Sequence, residues 1–115
     1  MSDLEAEFRR LVTLRVEDDY TGLWELRKDA ARLTSKATES DLRAFVLPVV
    51  QAMLEEGSIL AGDLTRNGFE AWGLEPSEAA ERIRDGWVMV GTPNISDVVW
   101  FSSPEASTAG ETPPS

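Results

Sequence analysis

The chain contains no cysteine and no histidine. The first absence removes disulfides and thiolate metal sites. The second removes the commonest general base and metal ligand, so Ser-His-Asp and Cys-His arrangements are impossible within this chain. No apolar run approaches the roughly 18 residues of a membrane span. The opening stretch, MSDLEAEFRR, lacks the apolar segment of a signal peptide, and a cytoplasmic protein is the expectation. Neither G-x-x-x-x-G-K-[ST] nor G-x-G-x-x-G occurs, so no phosphate loop is present and no cofactor is expected. Basic residues are scarce, above all late in the chain. Residues 1–54 hold ten acidic and eight basic residues, residues 55–115 hold eleven and three, and nothing basic follows Arg84. A phosphate-backbone ligand needs clustered Lys and Arg, so this balance argues against nucleic acid and suits a basic partner or solubility alone.

What is present is enough for one core. The 115 residues are 42% hydrophobic, near the common size of a single domain. The most apolar long run is Thr38 to Asp63. Ser40 is placed to cap a helix there, with Asp41 adding negative charge to the first turn. Leu42, Phe45, Val46, Val49, Val50, Met53 and Leu54 recur at spacings of three and four, the period of a buried helical face, and Gly57 is the natural stop. Pro48 interrupts the backbone hydrogen bonding of that helix, and either kinks it or starts a second one; a kink is expected, because the apolar face keeps its phase on both sides. Ser58 to Ala61 reads as a short strand.

Ser2 and Glu5 form a capping box ahead of Leu4, Phe8, Leu11 and Val12, giving a first helix to about Arg15. Asp19 can cap a second, whose apolar side is Leu23, Trp24, Leu26, Ala30, Ala31 and Leu33. Asn67-Gly68 is a strong turn signal. The segment Phe69 to Gly73 reads as irregular, and Pro76 with Glu75 and Glu78 opens a late helix carrying Ala79, Ala80, Ile83 and Trp87. Asp97 to Phe101 is rich in β-formers and is expected to pair with the strand at Ile59–Ala61. The expected fold is α+β: a mostly helical domain over residues 1–103, a winged-helix-like three-helix core and a small antiparallel sheet of two or three strands. Residues 104–115 read as a disordered acidic, Pro-rich tail.

Three residue sets bear on function. Glu55, Glu56 and Asp63 have the chemistry for a hard cation, but adjacent acids at the negative end of a helix are the mark of a solvated rim, and no metal site is assigned. Arg27, Lys28, Arg32 and Lys36 form a modest basic patch interleaved with acids, as on a solvated helix face. Among the four tryptophans, Trp24, Trp87 and Trp100 fall on apolar faces and are expected in the core. Phe69 and Trp72 lie beside Glu70 and Glu75 in a glycine-flanked loop, where aromatic anchors and acidic steering suit a basic groove; the alternative is that Trp72 closes the core.

Three stretches in order, Met53-Leu54-Glu55-Glu56-Gly57-Ser58-Ile59, then Pro76-Ser77-Glu78-Ala79-Ala80 leading to Trp87, then Val98-Val99-Trp100-Phe101, resemble a family of small bacterial proteins found as immunity proteins beside polymorphic and contact-dependent toxins. The resemblance spans roughly residues 20–103 and implies a helical, winged-helix-like domain that binds and blocks a toxin. The residue reading adds a surface for a basic partner, formed by Asp63, Phe69, Glu70, Trp72, Glu75 and Glu78 and steered by the acidic stretch 55–97; with what the resemblance implies, the expectation is a non-enzymatic inhibitor. The expected partner is a basic toxin domain, with no nucleic acid and no membrane; a homodimer stays open. The alternative is a winged-helix-like regulatory or adaptor domain binding protein or, less readily, DNA.

Overall fold

The computed structural model describes residues 3–35, 38–93 and 98–104. In chain order they form α1 (Asp3–Asp18), β1 (Thr21–Gly22), α2 (Leu23–Thr34), α3 (Glu39–Glu56), β2 (Leu60–Thr65), β3 (Gly68–Ala71), α4 (Pro76–Val90) and β4 (Trp100–Ser102). The apolar face of α3 buries Leu42, Val46, Val49, Val50 and Met53. Phe8, Val12 and Val16 of α1, Leu23, Leu26 and Ala30 of α2, and Ile83 and Trp87 of α4 complete the same core. Each of the large side chains stabilises the fold by about 1.5–3 kcal/mol through burial. Gly57 ends α3 with φ 76°, a left-handed turn that a side chain would strain.

The sheet closes one side of this core. Its order is β1-β4-β2-β3, antiparallel throughout. Thr21, Ala61 and Phe101 stand side by side and are buried, whereas Leu60 and Trp100, one residue away, are half-buried on the outer face.

Several expectations change. The sheet has four strands, not two or three, because Thr21–Gly22 pairs with β4 and because the turn falls at Arg66-Asn67, one residue before the expected Asn67-Gly68, so that Gly68–Ala71 is a strand and not an irregular loop. Thr38, not Ser40, caps α3, its side chain accepting the Asp41 N–H at 3.1 Å. Asp19 caps no helix: its carboxylate accepts the Tyr20 N–H, and α2 starts only after Gly22. α1 runs a turn beyond Arg15. As expected, α3 is one helix through Pro48 and no second helix starts there; the proline lies on the exposed side. The β2–β3 hairpin follows the three helices, and β4 slots between β1 and β2. The Ser2 half of the first capping box, Lys36, Asp97 and residues 105–115 lie outside the described residues.

Ion pairs tie the helices together. Arg15 holds the buried Asp29 through Nε at 2.5 Å and Nη2 at 3.0 Å, and also meets Glu25, which joins α1 to α2. Glu39, at the start of α3, accepts from Arg27 of α2, from the Trp87 indole N–H of α4 at 3.0 Å and from Thr92. The Arg27 hydrogen bond is the main cause that holds the Glu39 carboxyl below the ordinary glutamate range, with the Trp87 bond adding to it against the opposing effect of burial.

Candidate functional site

The hairpin begins as a consequence of its turn. Arg66-Asn67 forms a two-residue loop, so the register counts back from Thr65↔Gly68 through Leu64↔Phe69 and Asp63↔Glu70 to Gly62↔Ala71. Asp63 and Glu70 are therefore directly opposite, on one face, and both are exposed. Among the described residues neither carboxylate has an ion-pair partner. Glu70 accepts only the Thr65 hydroxyl, at 3.3 Å. Like charges facing each other across a strand pair are destabilising, so this pair works against the hairpin that carries it.

Phe69 is half-buried, its ring stacked on Tyr20 with centroids 5.7 Å apart and planes 17° from parallel. Tyr20 immediately precedes β1, which is the opposite edge of the sheet. Edges of a flat four-stranded sheet stand roughly 14 Å apart, so this contact requires strong coiling. Gly62 permits it: a Cβ there would lie 2.2 Å from the Glu70 carbonyl oxygen, which no side-chain-bearing residue allows.

Trp72 takes part in both roles the sequence left open. Its ring packs against the core, and its backbone N–H donates to Ala61 at 3.0 Å, extending the hairpin by one pair. The ring is still half-exposed, with the Arg82 guanidinium 4.0 Å from its centroid. The indole N–H is buried and has no acceptor among the described residues. Beside it lies an apolar cavity of about 130 Å³ lined by Leu54, Ile59, Ala61, Leu74 and Ala79.

Glu75 and Glu78 have structural work at the start of α4. Glu75 is the N-cap residue, and Glu78 reaches back to accept its N–H at 3.3 Å, the long arm of a capping box. Of the six residues expected at the site, Asp63, Phe69 and Glu70 share one hairpin, Trp72 continues it, and Glu75 and Glu78 stand three and six residues on, where their charges also favour the positive end of α4.

Two participants escape sequence reasoning: Tyr20, which stacks on Phe69, and Arg82, which covers Trp72. Arg82 stands one helical turn beyond Glu78, a spacing that could have flagged it. The tryptophans divide differently from expectation. Trp87 is fully buried, but Trp24 and Trp100 are half-buried and meet edge-to-face at 5.3 Å on the outer side of the sheet, apart from the main core.

The remaining sets do not assemble. Glu56 pairs with Arg9, and among the described residues no three acidic side chains converge as a cation site would need. Arg27 of the basic patch is committed to Glu39. Among the described residues no helix is long and apolar enough to cross a membrane. No family model, curated protein or solved structure matches this chain.

Proposed function

We propose that this chain is a non-enzymatic inhibitor of the immunity type, which neutralises a basic bacterial toxin domain by docking the β2–β3 hairpin and the start of α4 against it. The carrying observation is the Asp63–Glu70 pair: two exposed carboxylates face each other without a cation among the described residues, an arrangement that is unfavourable alone and favourable beside Lys or Arg of a partner. The half-exposed Trp72 alongside supplies apolar area, and the acidic second half of the chain supplies steering. The resemblance of residues 20–103 to immunity proteins motivates the choice of partner.

The test is calorimetric titration with the product of the neighbouring gene at low and high salt. One-to-one binding that weakens with salt and is lost in Asp63→Lys and Glu70→Lys, with the fold intact by circular dichroism, supports the reading. Binding indifferent to both substitutions, or no binding, sinks it. Glu75→Lys is the poorer probe, because Glu75 caps α4.

A second reading, a winged-helix-like regulatory or adaptor domain, is favoured by one observation, the order of three helices followed by a hairpin. Its partner would be a protein. α3, which would stand as the recognition helix, carries Glu39, Asp41, Glu55 and Glu56 against Arg43 alone, the wrong sign for a phosphate backbone.

A further inference from the structure

We infer that the free edge of β3 accepts an extended strand of the partner, and that this strand reads apolar–basic–apolar where it lies against Phe69, Glu70 and Ala71. The inference rests on the proposed docking of a basic partner and specifies how that partner is held.

The sheet order leaves β3 at an edge. Which of its groups are free follows from the ladder. In an antiparallel pair, bonded and non-bonded positions alternate. The Trp72 N–H bonds to Ala61, so 61/72, 63/70 and 65/68 are the bonded positions. The N–H and C=O groups of Phe69 and Ala71 then point away from β2. Among the described residues nothing takes them up. Two residues that alternate in this way present both donors and both acceptors for one short antiparallel strand.

Charge chooses the occupant. A strand paired on this edge places its bonded residues beside Phe69 and Ala71, and its middle residue beside Glu70. That middle residue shares a face with Glu70 and Asp63, which have no ion-pair partner among the described residues. A lysine or arginine there relieves the carboxylate pair. The flanking residues share the face of Phe69 and should be apolar. A second copy of this chain fits badly, because pairing two β3 edges sets Glu70 and Asp63 of one beside those of the other, at net charge −10 each.

The edge is tested with the full chain, ¹⁵N-labelled, and the synthetic peptide Val-Lys-Val-Lys-Val. Binding should shift the Phe69 and Ala71 amide resonances and slow their hydrogen exchange. Methylating the valine nitrogens should abolish the effect, as should replacing Lys by Glu. Ala71→Pro removes one outward N–H without touching a β2–β3 bond and should weaken binding about tenfold or more; Glu70→Lys should do the same while leaving the Ala71 N–H in place. Shifts confined to other surfaces, or binding that survives N-methylation, overturn the inference, as does failure of the peptide to bind. Salt-sensitive binding of the folded toxin domain without protection of Phe69 and Ala71 overturns the edge but spares the inhibitor reading; failure of that domain to bind removes the reading itself. Self-association that Ala71→Pro disperses would make the occupant a second copy and overturn the basic strand.

Discussion

The two halves of the molecule treat charge in opposite ways. In the helical half the ion pairs between helices do structural work. Arg9 joins α1 to Glu56 of α3, Arg15 joins α1 to Glu25 and Asp29 of α2, and Arg27 joins α2 to Glu39 of α3. In the hairpin, Asp63 and Glu70 face each other and, among the described residues, no cation answers them. The net charges, −2 for residues 1–54 and −8 for residues 55–115, express the same division. Charges that hold a fold are matched within it. Charges left opposed at a surface are matched, if at all, by something else. The difference separates the acids that stability explains from those that binding must explain.

The largest effect belongs to the residue where the helices and their polar hub meet. Trp87 is fully buried and also donates its indole N–H to Glu39. Trp87→Ala should cost about 3–5 kcal/mol, read as a fall in denaturant midpoint. Glu39→Gln comes next. It keeps an acceptor for the indole but loses the charge opposite Arg27, for a loss of about 1–2 kcal/mol at neutral pH. The pH dependence follows from the lowered folded-state pKa of Glu39. A carboxylate whose pKa is depressed by folding contributes stability that is complete above its unfolded value, about 4.3, and is lost as pH falls through the folded value. Wild-type stability should therefore drop below about pH 4.3, and Glu39→Gln should show a shallower drop across the same window. Equal slopes in the two proteins would remove Glu39 from the hub.

How much of this was legible differs by element. α3 was readable because seven apolar residues repeat at the helical period, and its stop was readable from Gly57. β1 was not, since two residues, Thr21 and Gly22, carry no period. β3 was hidden for another reason. Its alternation places Glu70 on the face of Trp72 and Ala71 on the face of Phe69, so polarity does not alternate with the side of the sheet. Trp24 and Trp100 were recognisable as apolar, but sequence periodicity does not say that they would meet each other half-buried, apart from the main core. The acidic site was half legible. Composition marked Asp63 and Glu70, but the turn was read one residue late, at Asn67-Gly68 where the loop is Arg66-Asn67, and counting back from that reading sets Asp63 opposite Trp72. That slip of one residue, together with the expectation that the strand ended at Ala61, hid the register.

The sharpest comparison sets two acids of the same half against each other. Glu78 sits in the first turn of α4, beside the positive end of the helix, and accepts the Glu75 N–H. Glu78→Ala should cost about 0.5 kcal/mol. Asp63 has no such partner and faces Glu70 directly. Asp63→Lys turns a repulsive cross-strand pair into an attractive one and should raise stability by about 0.5 kcal/mol. The measurement is chemical denaturation of both variants at low salt, repeated at high salt, where the Asp63→Lys gain should shrink because the pair is exposed and screened. A protein that becomes more stable when a surface acid is reversed, and at the same time stops binding a basic partner, retains that acid for the partner. If Asp63→Lys instead destabilises as Glu78→Ala does, the hairpin carboxylates belong with the structural charges of the helical half, and the division between the two halves disappears.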